Sequence, residues 1–140
     1  MKRKILIIDD EGAFAGCLKE FFESAGHEAH MATSASEAFA KLDEQGASFE
    51  VVVSDVNMPG ITGMTLLKAI KTRNPLIQVI LMSGYGTESM IVQGLESGAL
   101  DFLAKPFELK VIGEIVKAID AKLQRWNERG VTIKSGNKNG

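Results

Sequence analysis

Residues 51–60 read VVVSDVNMPG, in which β-branched residues lead into a carboxylate and then into a turn marked by Pro59 and Gly60. A short apolar run bounded by turn residues predicts a buried strand. Strands buried on both faces are typical of parallel sheets, and ligands bind such sheets at the carboxyl ends of the strands. The pattern places Asp55 at that edge, with Pro59 and Gly60 as structural turn residues beside it. An aspartate after a strand is more often a cap or loop residue, so this assignment depends on the other strand ends.

Strand and helix patterns alternate along the chain. Apolar runs predict buried strands, and a weaker alternating pattern predicts an edge strand; together they cover residues 5–8, 28–32, 51–55, 77–82 and 100–104. Apolar residues at three- and four-residue spacing predict a helix after each strand, the last over residues 108–127. This alternation predicts an α/β fold with five helices around a five-stranded, doubly wound parallel sheet of the flavodoxin-like order 2-1-3-4-5.

Length and composition indicate one globular domain. The 140 residues, 45% hydrophobic and 24% charged, suffice for a single core. We expect a domain over residues 1–127 and a flexible polar tail over residues 128–140, where the composition leaves little to bury. A net charge of −2 gives no basic field for direct nucleic-acid binding. One cysteine, and an apolar run after the basic start that is too short for a signal peptide or membrane span, predict a cytoplasmic protein with no membrane contact.

Polar side chains follow four of the predicted strands. In chain order they are Asp9 and Asp10, then Asp55, Ser83 and Lys105. The carboxyl ends of the strands in a doubly wound sheet lie along one edge, where crowded carboxylates repel one another unless a cation joins them. Oxygen ligands of this kind suit Mg²⁺. With an ammonium and a hydroxyl group they predict a site for a transferred phosphoryl group, and Asp55 is the candidate nucleophile that would form an acyl phosphate.

These residues carry a resemblance to a known family. Over about residues 1–127 the chain resembles the receiver domain of two-component response regulators, on the motifs Asp9-Asp10, DVNMPG at residues 55–60, Ser83-Gly84 and Lys105-Pro106-Phe107. Lys105 also lies 22 positions after Ser83, as in the family. The resemblance implies that Asp55 is the phosphoacceptor, receiving phosphate from a sensor histidine kinase or a phosphotransfer protein.

The resemblance also implies a set of metal ligands. Asp10, Asp55 and the backbone carbonyl of Asn57 would bind Mg²⁺ directly, with Mn²⁺ as an alternative ion, and Asp9 would act through bound water. The side chains of Asn57 and Tyr85 would flank the phosphoryl group and tune the hydrolysis of the acyl phosphate.

Further residues have roles in the switch by the same resemblance. Ser83 would hydrogen-bond the phosphoryl group, and Lys105, aimed inward by a cis bond to Pro106, would pair with it. Phe102 occupies the family's switch position as phenylalanine rather than tyrosine, so it has no hydroxyl group for a partner. A plain core position on the fifth strand is an equal alternative for Phe102.

The sequence thus predicts a signalling switch rather than an enzyme, one that catalyses only its own phosphorylation and dephosphorylation. Phosphorylation would change the face formed by the fourth helix, fifth strand and fifth helix. That face would control a downstream effector or an attached output domain, with transcription as one output, and would offer a homodimer surface. A non-phosphorylated interaction module is one alternative. A phosphoaspartate-forming phosphohydrolase is another, disfavoured because Asn57 stands where such enzymes usually place a general acid.

Overall fold

The computed structural model describes residues 2–44 and 47–133. The strands of the main sheet are β1 (Lys4–Ile8), β2 (Glu28–Ala32), β3 (Val51–Asp55), β4 (Gln78–Ser83) and β5 (Asp101–Ala104). The helices are α1 (Gly12–Ser24), α2 (Ala35–Leu42), α3 (Gly63–Arg73), α4 (Glu88–Glu96) and α5 (Leu109–Glu128). Within these ranges, no helix combines the length and the apolar character needed to cross a membrane.

The strand order confirms the predicted α/β architecture. Neighbouring strands of the main sheet pair in parallel, in the order β2-β1-β3-β4-β5. The chain moves outward from β1 to β2, then returns to add β3, β4 and β5 on the other side of β1. Right-handed crossovers place α1 on one face of such a sheet and α2, α3 and α4 on the other. Helix α5 contacts α1 and lies on the first face.

The sheet is covered on both faces. All five residues of β3 are buried, and the side chains of Val51, Val52 and Val53 have no exposed surface. Helices cover both sides of this strand, which explains why it is a continuous apolar run rather than an alternating one. The edge strand β2 keeps three partly exposed residues, as its weaker alternation predicts.

A short antiparallel hairpin follows β3, where the sequence indicates only a turn. Residues 57–58 pair with residues 61–62, and Gly60 between them has a φ of 85°. Glycine adopts this left-handed region at little cost. The Oγ1 atom of Thr62 then accepts a hydrogen bond from the backbone N–H of Thr65 and caps α3. The hairpin fixes the backbone directly after the candidate phosphoacceptor strand.

A buried arginine connects α5 to the amino-terminal edge of the sheet. Arg3 is 7% exposed. Its Nη1 atom lies 3.0 Å from Oε2 of Glu50, and its Nε atom lies 2.5 Å from Oδ1 of Asp120 in α5. These contacts lie at the opposite edge of the sheet from the strand ends that carry the polar residues, and they hold α5 against the sheet.

The chain stays packed beyond the end of α5. The helix ends at Glu128, one residue after the predicted end, and the backbone N–H of Val131 donates to the carbonyl of Trp126 at 2.9 Å. Ile133 is buried against the core. Residues 134–140 of the predicted tail lie outside the described residues, and the division into residues 1–127 and 128–140 stays a prediction.

Gly63, the first residue of α3, lies close against the backbone of the segment that follows β3. A Cβ atom at this position would lie 2.4 Å from the Cα atom of Val56. Val56 cannot easily move away, because its N–H donates to the carbonyl of Met82 at 2.8 Å. We expect Gly63→Ala to lower the free energy of unfolding by about 1–3 kcal/mol, the usual cost of overpacking.

Gly16, in the interior of α1, is the matched control for Gly63. A Cβ atom there would meet nothing within 4 Å. Gly16→Ala should raise the free energy of unfolding by about 0.5–1 kcal/mol, because alanine is the better helix former. Urea denaturation measures both values. Equal stability of Gly63→Ala and wild type would contradict the close packing at Val56.

Candidate functional site

The structure brings the polar residues at the strand ends to one edge of the sheet. Asp9 directly follows β1, Asp55 ends β3, Ser83 ends β4 and Lys105 directly follows β5. Parallel pairing aligns these ends, since Asp55 is in register with Met82 and the backbone N–H of Lys105 donates to the carbonyl of Ser83 at 2.8 Å. The convergence predicted from the sequence is therefore present in the fold.

Three carboxylates form an acidic cluster at this edge. Asp9, Asp10 and Asp55 each offer one oxygen atom, and these oxygens lie within 4.8 Å of one another. Asp9 is fully buried, Asp55 is 6% exposed and Asp10 is exposed. Carboxylate oxygens with one open side fit a hard divalent cation, above all Mg²⁺, which binds through one or two carboxylates and keeps other positions for water or phosphate oxygens. The donor set therefore suits the ion that the sequence predicts.

Lys105 places one ammonium group among the acids. Its Nζ atom lies 2.8 Å from Oδ2 of Asp9, 3.5 Å from Oδ2 of Asp55 and 3.7 Å from Oε1 of Glu11. Burial disfavours the charged ammonium, but the hydrogen bond to Asp9 and the surrounding carboxylates outweigh it and raise the pKa of Lys105. One positive charge faces several negative ones, which leaves the cluster with excess negative charge.

Burial disfavours the charged form of Asp55, the candidate nucleophile. It raises the pKa of the Asp55 carboxyl, although the backbone N–H of Asn57 and the Lys105 ammonium act in the opposite direction. The Asn57 N–H donates to Oδ1 of Asp55 at 3.0 Å, while Lys105 lies nearer to Oδ2. The two carboxylate oxygens therefore have different surroundings.

Ser83 is hydrogen-bonded to Asn57 in this structure. Its Oγ atom donates to Oδ1 of Asn57 at 2.6 Å and accepts the backbone N–H of Tyr85 at 3.0 Å. The side chain is fully buried. The hydroxyl group that we expect to bind a phosphoryl group thus has an alternative acceptor, and Asn57 connects it to the Asp55 loop.

The two aromatic residues near the site differ in exposure, because Phe102 is nearly buried and Tyr85 is open to solvent. Phe102 is 9% exposed, and its ring packs against Gly86, where a Cβ atom would lie 2.9 Å from the ring atom Cε1. Tyr85 is 80% exposed. It lines an open cleft of about 400 Å³ together with Asp10, Glu11, Asp55, Asn57, Gly84 and Lys105. Phe102 therefore lies behind the site, whereas Tyr85 stands at its mouth.

Two neighbours of Lys105 were missed by sequence reasoning. Glu11 lies within ion-pair distance of the ammonium, and the ring centroid of Phe14 lies 4.5 Å from it. Glu11 continues the acidic run after β1, so its proximity could have been inferred. Phe14 reads as one member of the apolar stripe of α1, and nothing in that stripe signals a contact with the residue after β5.

Comparisons with known proteins agree on one family. A family model described as "Response regulator receiver domain" matches residues 5–117. The chain is 38% identical over 116 residues to "Response regulator protein FleR" of Pseudomonas aeruginosa, covering 83% of this chain and 24% of FleR. It is 41% identical over 108 residues to "Transcriptional regulatory protein FixJ" of Bradyrhizobium diazoefficiens, covering 76% of this chain and 51% of FixJ. The chain thus spans about a quarter of the length of FleR and about half of the length of FixJ.

A solved structure gives the same result for the fold. The crystal structure of a CheY-like response regulator receiver domain protein from Methanospirillum hungatei superposes with a TM-score of 0.80 at 26% identity. The match covers 89% of this chain and 99% of that chain.

We expect Mg²⁺ to stabilise the folded protein by binding to the acidic cluster. Free Mg²⁺ at about ten times its dissociation constant should raise the free energy of unfolding by about 1.4 kcal/mol, because it binds only the assembled cluster. Asp10→Asn should lose most of this gain, because it removes one carboxylate of the three. Asp43→Asn is the control, since Asp43 pairs with Arg73 away from the site, and its gain should equal that of wild type. Thermal denaturation with and without Mg²⁺ measures these gains. A full gain in Asp10→Asn would contradict the assignment.

Without divalent ions, Asp55→Asn should be more stable than wild type at pH 7, because a buried carboxylate beside Asp9 is replaced by a neutral amide. An acid whose pKa is raised on folding destabilises the native state above its unfolded pKa. The difference between the two proteins should therefore shrink as the pH falls from 7 toward the ordinary pKa of an aspartate. Melting temperatures in a chelating buffer across this range measure the effect. A less stable Asp55→Asn at pH 7 would show that the attraction to Lys105 outweighs the crowding.

Proposed function

The chain belongs to the response regulator receiver domain family, and we propose that it is a phosphoryl-accepting switch in which Asp55 takes a phosphoryl group from a sensor histidine kinase or a phosphotransfer protein. The observation that carries this proposal is the position of the Asp55 carboxylate, which clusters with Asp9 and Asp10, lies 3.5 Å from the Lys105 ammonium and lines an open cleft. A nucleophile, a candidate cation site and a positive charge are the groups that phosphoryl transfer to a carboxylate requires.

The transfer follows from the chemistry of these groups. A carboxylate oxygen of Asp55 attacks the phosphorus, the bond between phosphorus and the donor's imidazole nitrogen breaks, and its electron pair remains on that nitrogen. Asp10 and Asp55 would hold Mg²⁺ directly and Asp9 through bound water, and the ion would stabilise the negative charge on the transferred group. The Asn57 N–H donates to Oδ1 of Asp55 at 3.0 Å, and Oδ2, which lies 3.5 Å from the Lys105 ammonium, is the oxygen proposed to react. The backbone carbonyl of Asn57 is a further proposed ligand, and Mn²⁺ an alternative ion.

Lys105 would change partners as the reaction proceeds. Its ammonium now bonds Asp9 at 2.8 Å and lies 3.5 Å from Asp55. A phosphoryl group on Asp55 brings additional negative oxygens to that side, and the ammonium then pairs with them. The lysine side chain is a mobile point charge with three donors, so it can make this shift without moving the backbone.

The proposed switch begins at Ser83. A phosphoryl oxygen on Asp55 competes with the Asn57 amide oxygen for the Ser83 hydroxyl, whose hydrogen bond to Asn57 is 2.6 Å long. Movement of Ser83 pulls the chain that leads through Tyr85 and Gly86, and Gly86 packs on the ring of Phe102. Phe102 thereby connects the site to α4 and β5. Asn57 and Tyr85, which flank the cleft, are proposed to tune the hydrolysis of the acyl phosphate.

The output surface would be formed by α4, β5 and α5. Apolar side chains that are between 37% and 47% exposed lie on or beside these elements, at Val92, Leu95, Leu100 and Val111. Such residues suit a homodimer contact, a downstream effector or an attached output domain. FixJ is described as a transcriptional regulator and is about twice as long as the matched region, so transcription is one proposed output. The net charge of −2 argues against direct binding of nucleic acid by this domain.

Asn57 argues against a phosphohydrolase that turns over external substrates. Its amide cannot donate a catalytic proton to a leaving group, and its oxygen is already the acceptor of the Ser83 hydroxyl. A non-phosphorylated interaction module would not require the acidic cluster or Lys105. The phosphoacceptor switch accounts for both features.

Intact mass measurement tests the proposal. Incubation with acetyl phosphate and Mg²⁺ should add one phosphoryl group to wild type and none to Asp55→Asn. Omission of Mg²⁺ should abolish the adduct, while Asp43→Asn, remote from the site, should react as wild type. Rapid hydrolysis is checked with beryllofluoride, a stable mimic of the phosphoryl group. If wild type neither forms the adduct nor binds beryllofluoride, the interaction module becomes the better explanation.

A further inference from the structure

The Lys105 ammonium also contacts an aromatic ring, that of Phe14 in α1. The Lys105 Nζ atom lies 4.5 Å from the centroid of the Phe14 ring, within the distance of a cation–π interaction. The ring is itself held by Phe107, whose ring meets it edge-on with centroids 5.9 Å apart and an interplanar angle of 85°. Such an edge-to-face pair restricts the orientation of both rings.

Phe14 differs from the two buried carboxylates that contact the ammonium, because its ring lies outside the acidic cluster. Glu11 also lies outside that cluster, but its side chain is 72% exposed and 3.7 Å from the ammonium, and an ion pair so open to water holds a lysine only weakly. Asp9 and Asp55 contact Lys105, and both also belong to the acidic cluster. These oxygens would be shared with a divalent cation bound to the cluster, and their hold on the lysine would weaken. Phe14 has no lone pairs to give to the cation, so its contact with Lys105 would survive metal binding. The lysine stem is long and loses rotamer freedom when it is held, so a persistent contact determines where the ammonium lies.

We propose that Phe14 is a positioning residue, which keeps the Lys105 ammonium inside the site while a divalent cation occupies the acidic cluster and thereby strengthens the binding of the phosphoryl group at Asp55. The inference rests on the proposed function, because it assigns Phe14 a part in holding the phosphoryl group. A purely structural Phe14 would affect stability alone, and its effect would not depend on Lys105.

A double-mutant cycle separates the two roles. Beryllofluoride affinity in the presence of Mg²⁺ is measured for wild type, Phe14→Leu, Lys105→Ala and the double variant. Loss of a cation–π contact predicts roughly two- to fivefold weaker binding in Phe14→Leu. In the Lys105→Ala background the same change should cause no further loss. An equal loss in both backgrounds would overturn the proposal.

Two further variants control for packing. Phe14→Tyr keeps an aromatic face and should restore wild-type affinity for beryllofluoride. Phe21→Leu removes another partly buried ring of α1, one that lines the cleft between α1 and α5, and it should leave the affinity unchanged. If Phe21→Leu weakens binding as much as Phe14→Leu, general packing of α1 explains the effect and the proposal is wrong.

Nuclear magnetic resonance tests the contact between Lys105 and Phe14 without a measurement of affinity. The ε protons of Lys105 lie close to the face of Phe14 and should be shifted upfield by its ring current. The shift should persist with Mg²⁺ and beryllofluoride bound and disappear in Phe14→Leu. Absence of the shift in the beryllofluoride-bound protein would overturn the proposal while leaving the proposed function intact. Failure of wild type to bind beryllofluoride at all would instead overturn the proposed function, and this inference with it.

Discussion

Negative charge crowded at one edge of the sheet is the constraint on which the site depends. Asp9 has no exposed surface and Asp55 is 6% exposed, and a carboxylate in such a position is costly unless a partner compensates it. Lys105 supplies one ammonium group for three clustered carboxylates. The excess negative charge favours a divalent cation, and the desolvated Asp55 carboxylate beside that cation is suited to attack phosphorus. The same crowding is thus the physical basis of both the expected metal dependence and the proposed role of Asp55 as nucleophile.

Close backbone contacts connect this edge to the surface of the domain. Gly63 allows the start of α3 to lie against Val56, directly after the strand that ends at Asp55. Gly86 allows the loop after Ser83 to lie on the ring of Phe102, and Gly94 of α4 lies near the opposite edge of that ring, where a Cβ atom would be 3.5 Å away. Tightly packed interiors respond to small displacements by repacking rather than by gradual deformation. A shift of Ser83 is therefore expected to move α4 and β5 as a unit.

In the proposed switch, Lys105 and Asn57 would each serve two arrangements of the site. Lys105 bonds Asp9 here and would bond a phosphoryl group after transfer, while Asn57 now accepts the hydrogen bond of Ser83 that a phosphoryl oxygen would later accept. The Lys105–Asp9 and Ser83–Asn57 hydrogen bonds would thus each compete with a phosphoryl oxygen in the proposed phosphorylated state. A two-state element needs such exchanges, because a ligand shifts an equilibrium only by binding one state better than the other.

Hydrophobic periodicity and the residues that end each strand predicted the five-stranded sheet, its strand order and the convergence of Asp9, Asp10, Asp55, Ser83 and Lys105. These features follow from the sequence because burial on both faces requires apolar runs, and because parallel strands align their carboxyl ends. The hairpin after β3, the Ser83–Asn57 hydrogen bond and the contact of Phe14 with Lys105 emerged only from the tertiary structure. Periodicity shows which face of an element is buried, but it does not show which side chain of a distant element meets that face. Phe14 therefore reads as one more apolar residue of α1 until folding brings the residue after β5 over its ring.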